Sequence, residues 1–143
     1  MIALGLDTEL VILAAGLMFL WALLLGVLKY RQILASPEGS AHPYTDIAHR
    51  AALLYSFAFM LIAVFVQLSA WSAAINLTAA GALALFFVIS VYSYMHHGLR
   101  QDTDNQLRES SAALRGFMNL LIVAEIGGFV VLLAGFVAGQ FLG

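Results

Sequence analysis

From Leu10 to Leu28 the chain carries no charged side chain and, apart from the indole of Trp21, no hydrogen-bonding one. A stretch of that length and character has hydrocarbon as its natural solvent. About 20 mainly apolar residues, rising 1.5 Å each in a helix, cross the core of a bilayer. Three further stretches qualify once the polar segments are used as punctuation, so the expected spans are 8–30, 47–70, 75–96 and 114–141. Every backbone N–H and C=O inside lipid needs a partner within its own segment, which makes those spans helices. The sequence therefore predicts an all-α integral membrane four-helix bundle, with residues 1–143 forming a single transmembrane domain. Composition agrees: 63% of the residues are hydrophobic and 10% charged, against about a quarter charged in soluble domains. Asp7 and Glu9 stand where a secretory signal would carry lysines, and the apolar run is longer than a signal's, so the first span reads as a retained membrane helix.

The connections set the topology. The first span stops at Lys29-Tyr30-Arg31, and the segment Gln32 to Asp46 contains Ser36-Pro37-Glu38-Gly39-Ser40 and His42-Pro43, which interrupt a helix. Thr45 or Asp46 is the expected N-cap of the second span. Only residues 71–76 separate spans two and three, which makes them antiparallel neighbours, and Trp71 fits an interfacial anchor. A second polar loop runs from Leu99 to Ser111. All six basic residues, Lys29, Arg31, Arg50, Arg100, Arg108 and Arg115, lie in or beside the two longer loops. The positive-inside rule assigns those loops to the cytoplasm and both termini to the outer face. A net charge of −2 without a basic run leaves no surface for nucleic acid, and the absence of cysteine excludes disulfides, thiolate metal sites and catalytic thiols. Ala22/Gly26, Ala80/Ala84 and Gly135/Gly139 are small-xxx-small pairs that let helices approach closely, within a subunit or between subunits.

The chemistry-bearing residues gather on the basic side. His42, His49, His96 and His97 all fall there, with Asp46, Arg50, Tyr55, Ser56, Tyr92, Ser93 and Tyr94 around them. Packed helix axes lie about 8–10 Å apart, so His49 and the His96-His97 pair are expected at similar depth, within reach of one ligand. Asp46 and His49 are spaced to share a helical face, as are Tyr92 with His96 and Ser93 with His97. A carboxylate on one imidazole nitrogen fixes the tautomer and leaves the other free for a metal or haem iron. Three readings stay open: rings that are merely interfacial, haem iron, or another metal or direct acid–base chemistry. Glu125 is the one ionisable residue deep in a span, about 15 Å from Arg115 at 1.5 Å per residue. It is expected to be protonated, partnered by Gln67, Asn119, Ser69 or Ser90, or in a wet cavity. Residues 101–106 lack the Asp or Asn and the Gly that a calcium loop needs at Gln106 and Leu107, so capping and turn chemistry, or a polar lid, is expected there.

Ser36-Pro37-Glu38-Gly39 followed by Ala48-His49, and Asn105-Gln106 ahead of the last span, resemble the matching stretches of styrene oxide isomerases. The related hydroxylaminobenzene mutases share the histidine at the start of the second helix. This resemblance, from about residue 36 to the C-terminus, implies a homotrimer holding haem b with His49 as axial ligand, in a bacterial inner (plasma) membrane. It implies a ferric iron acting as Lewis acid on a small apolar epoxide that arrives through the lipid. His96, His97, Asp46 and Arg50 would help hold the cofactor, and Tyr55, Tyr92 and Tyr94 are the catalytic candidates. Tyr55 stands where the family has Asn, and the third span carries no acid. The membrane-associated glutathione and eicosanoid enzymes share the four-span layout, and Thr8-Glu9-Leu10 is faintly similar to them. Residues 47–54 lack the polar pattern that opens their second helix. A third expectation is a non-catalytic subunit of a larger respiratory or transport complex, given the short loops and small-residue surfaces.

Overall fold

A computed structural model describes residues 3–108 and 110–142. Four helices run up and down: α1 Leu6–Ala35, α2 Pro43–Gln67, α3 Ala73–Arg100 and α4 Ala112–Phe141. All four are long and apolar enough to cross a membrane, and no strand occurs among the described residues. The chain is a four-helix membrane bundle. Its outward face is oil-like, with Leu13, Leu17, Leu20, Phe57, Val123 and Ile126 among many large exposed hydrophobics. That is the arrangement a lipid solvent permits and water would not.

Helix ends depart from the expected spans for local reasons. Hydropathy stops at the first charge, whereas a helix continues while its backbone bonds are satisfied. Thus α1 passes through Lys29 and Arg31 to Ala35, and α3 extends to Arg100, where Gln101 closes it in the left-handed conformation at φ 52°. Pro43 starts α2 instead of interrupting it, since a proline at the first helical position loses no hydrogen bond. The cap is neither Thr45 nor Asp46: the His42 Nδ1 accepts from the Tyr44 amide at 3.2 Å. At its other end α2 finishes at Gln67, three residues before the expected 70.

The core is layered around α2. Ala22, Ala48 and Ala52 are fully buried where α1 meets α2, with Leu25 and Met18 packed beside them. On the other side Phe59, Ala80, Leu83, Phe87 and Val91 join α2 to α3. By contrast α4 buries only Gly128, Leu132 and Gly135. Its C-terminal half is hooked onto the α2–α3 turn: Ala70 N–H donates to the Gly135 carbonyl at 3.0 Å, Trp71 Nε1 to Val131 O at 2.9 Å, and Gln140 Nε2 to Leu68 O at 3.0 Å. A Cβ on Gly139 would sit 2.7 Å from Leu68 O. Gly135/Gly139, Ala22/Gly26 and the buried Ala80 therefore serve contacts inside the subunit. At this same end Asp7 and Asn76 are buried together, the Asn76 Nδ2 donating to Asp7 Oδ2 at 3.0 Å.

At the basic end α3 crosses α2 against glycine. A Cβ on Gly98 would strike the Thr45 hydroxyl and lie 2.7 Å from the Thr45 backbone nitrogen. Gly98→Ala is expected to cost about 1–3 kcal/mol through overpacking. Gly116→Ala, in open space, is expected to leave stability unchanged; thermal unfolding of both variants in one detergent checks this.

Candidate functional site

Because α1 and α2 meet through small side chains, the imidazole of His49 reaches the α1 backbone. Its Nδ1 lies 2.9 Å from the Ala22 carbonyl oxygen. A carbonyl only accepts, so Nδ1 donates, and in the neutral tautomer that this bond selects the bare nitrogen is Nε2. Gly26 makes room for the ring: a Cβ there would stand 3.0 Å from His49 Cε1 and 3.4 Å from Nδ1. The Ala22-xxx-Gly26 pair is thus the seat of His49.

The tautomer-fixing role expected of Asp46 falls instead to this backbone carbonyl. Asp46 turns to Lys29 of α1, with which it forms a close ion pair, and to Arg50 at 2.9 Å. A full positive charge brought by another helix outcompetes an imidazole one turn away. Asp46 therefore joins α1 to α2 beside His49 without touching it.

His97 occupies a different side of α2. Its Nδ1 donates to Asp102 Oδ1 at 2.8 Å, and its ring lies 5.5 Å from that of Tyr44, which stacks on Tyr94 at 5.9 Å. The hydrogen bond from His97 holds the Asp102 carboxyl below the usual carboxylate range. The Tyr44 hydroxyl accepts from the Gln106 amide at 2.8 Å, and the Ser93 hydroxyl donates to Gln106 Oε1 at 2.9 Å. Gln32 ties the other loop down, accepting from His42 N–H and donating to the Gly98 carbonyl, both at 3.0 Å. Thr103 and Asn105 cap local turns, as expected of this loop.

The expected aromatic and imidazole groups thus divide. His49 and His97 lie at the same end, but His49 faces α1 and His97 faces Tyr44 and the second loop, so they do not converge on one ligand. Tyr92 and His96 do meet, rings 6.2 Å apart, yet Tyr92 is 57% exposed on the outer surface and His96 turns to Arg100. Ser93 and His97 bond to other partners. Tyr55, stacked on Phe87 at 4.0 Å, and Tyr94 line the α2–α3 seam. Arg50 remains largely exposed beside Asp46. None of Gln67, Asn119, Ser69 or Ser90 bonds to Glu125, whose Oε1 is buried without a hydrogen-bond partner. Among the described residues, no three His, Asp or Glu side chains are grouped to hold a bare metal ion. An iron already held by a porphyrin needs fewer ligands from the protein.

Gln32, Tyr44 and Gln106 were not singled out by spacing, although Pro43 marks the turn that aims Tyr44. The Asp7–Asn76 pair also carries no sequence signal beyond polarity next to an apolar run. No protein family, curated protein or solved structure matches the chain.

Since the Asp102 carboxyl titrates lower than usual, the tie it makes with His97 is intact above the ordinary carboxylate range and is lost as pH falls through its lowered value. Hydrogen exchange of residues 101–108 is expected to speed up only on strong acidification. Tyr44→Phe is expected to expose the Gln106 amide at every pH, because its acceptor is gone.

Proposed function

We propose that the chain is a haem-binding integral membrane protein in which His49 offers Nε2 to the iron, with isomerisation of a small apolar, epoxide-like compound as its chemistry. The single observation that carries this reading is the His49–Ala22 bond, which orients the ring and leaves one basic nitrogen. Such a second partner on the distal ring nitrogen is what histidine ligands use to fix tautomer and direction. The residues present fit the group. The ring is seated against Gly26, and Lys29 and Arg50 stand at the same end as cations for the carboxylates of a porphyrin. Bound haem b supplies a Lewis-acidic iron for an epoxide oxygen. Within the chain, His49 would hold the iron and Arg50 and Lys29 would balance charge, whereas Tyr55 and Tyr94 lie along the α2–α3 seam, away from the face of α2 that carries His49. The resemblance to styrene oxide isomerases supports the same assignment, with a homotrimer in a bacterial inner membrane and the basic loops in the cytoplasm.

A second reading, an accessory subunit of a larger membrane complex, is favoured by α4, most of whose surface lies open to lipid or to another chain.

Protein expressed with a haem precursor is expected to show a Soret band that shifts on reduction. His49→Ala is expected to lose it, and Gly26→Val, which crowds the ring, to diminish it. A colourless wild type would remove the haem reading. Co-purification of other chains from native membrane in fixed ratio would favour the accessory-subunit reading over a homo-oligomer.

A further inference from the structure

Between α2, α3 and α4 a lateral cleft of about 410 Å³ opens on the lipid-facing surface, walled by Ala58, Leu61, Leu83, Phe87 and Phe129. Its one ionisable group is Glu125, whose Oε1 is buried and has no hydrogen-bond partner. We infer that this cleft is a binding site for a small neutral apolar molecule carrying one acceptor oxygen, which Glu125 recognises as a hydrogen-bond donor. The inference is independent of haem at His49, which lies on the opposite, α1-facing side of α2.

Three observations point to this occupant. First, Glu125 sits near the middle of α4, about 15 Å along the helix from Arg115 at 1.5 Å per residue. No Lys or Arg lines the cleft, and an unpaired carboxylate at such depth is costly, so the resting group is the neutral acid. A neutral carboxyl brings one O–H donor and one carbonyl acceptor to a wall that offers neither. Second, the side chains at the mouth, Leu61, Ile126 and Val130, are all more than half exposed, so the entrance faces hydrocarbon, where apolar compounds concentrate. Third, the space matches a ring-sized molecule and not a further helix, which needs about 10 Å of width along its whole length. The titratable groups of neighbouring helices near enough to interact electrostatically with Glu125 are Tyr55 of α2 and Tyr94 of α3, and neither is a cation. Ketones, ethers, epoxides and quinone carbonyls share the required chemistry: an apolar body and an oxygen that accepts.

The test uses full-length protein in phosphatidylcholine vesicles with benzophenone as the probe, a neutral aromatic ketone that also crosslinks on irradiation. Dicyclohexylcarbodiimide, an apolar reagent for protonated carboxyls, is expected to label Glu125, with benzophenone slowing that labelling several-fold. Irradiation is expected to place benzophenone on residues of the cleft wall such as Leu61 and Phe129. Glu125→Gln, which keeps an N–H donor, is expected to abolish carbodiimide labelling and retain the crosslink. Glu125→Leu is expected to weaken the crosslink roughly tenfold, the loss of one hydrogen bond in an apolar site. His49→Ala is expected to change neither result. The proposal falls if benzophenone gives no protection or crosslinks indiscriminately along the helices. It also falls if tetraphenylphosphonium, a lipophilic cation, protects better than the ketone, or if Ile126→Cys, the sole cysteine in that variant, forms a disulfide between copies.

Discussion

Where α1 crosses α2, the Ala22 and Gly26 side of one helix meets Ala48, His49 and Ala52 of the other, with three of those alanines fully buried and the His49 ring resting on the glycine. Lipid offers no hydrophobic drive to bring helices together, so close packing and a few polar contacts must do it. The approach is tight enough for an imidazole on α2 to reach a main-chain carbonyl on α1. An interhelical hydrogen bond in a bilayer contributes on average about 0.6 kcal/mol, too little to hold two long helices. Its effect is directional: it sets the tautomer, the ring plane and the exposed nitrogen, while Ala and Gly packing supplies the cohesion. The Lys29–Asp46 pair one turn away sets the same register with charge.

The bundle distributes its polarity by position. One end is tied by Asp7–Asn76, Trp71–Val131 and Gln140–Leu68. The other carries every basic residue and all four histidines, with two loops fastened by Gln32, Tyr44 and Gln106. Between them lies a hydrocarbon-length middle where, among the described residues, Glu125 is the only carboxyl group. Because α4 buries little beyond Gly128, Leu132 and Gly135, an open cleft remains along its border with α2 and α3, and Glu125 sits in it. The helix that contributes least to the core thereby forms one wall of that cleft.

The spans were legible because bilayer thickness imposes a length, and no other solvent tolerates Leu10 to Leu28. Their ends were not, because a helix outruns the hydrocarbon: α1 reaches Ala35 and α3 reaches Arg100. Pro43 looks like an interruption in the sequence, whereas its place at a first helical turn makes it a start. His49 and Glu125 stood out as side chains at odds with their surroundings. Their environments did not, since the partner of His49 is a backbone carbonyl, which has no signature in sequence, and Glu125 Oε1 is buried with no hydrogen-bond partner among the described residues. Spacing along one helix permitted an Asp46–His49 bond, but it could not count the cation arriving from α1. The same limit explains His97, whose partner Asp102 comes from the loop that the chain turns back.

Ligation of iron by His49 depends on which of its ring nitrogens holds the proton. Nitrogen NMR of ring-labelled histidine in the membrane-reconstituted protein, assigned by His49→Ala, reads this directly. The predicted tautomer of the neutral ring is the one protonated at Nδ1 and bare at Nε2. A proton on Nε2, or a signal averaged between tautomers as for a ring free in water, would contradict it.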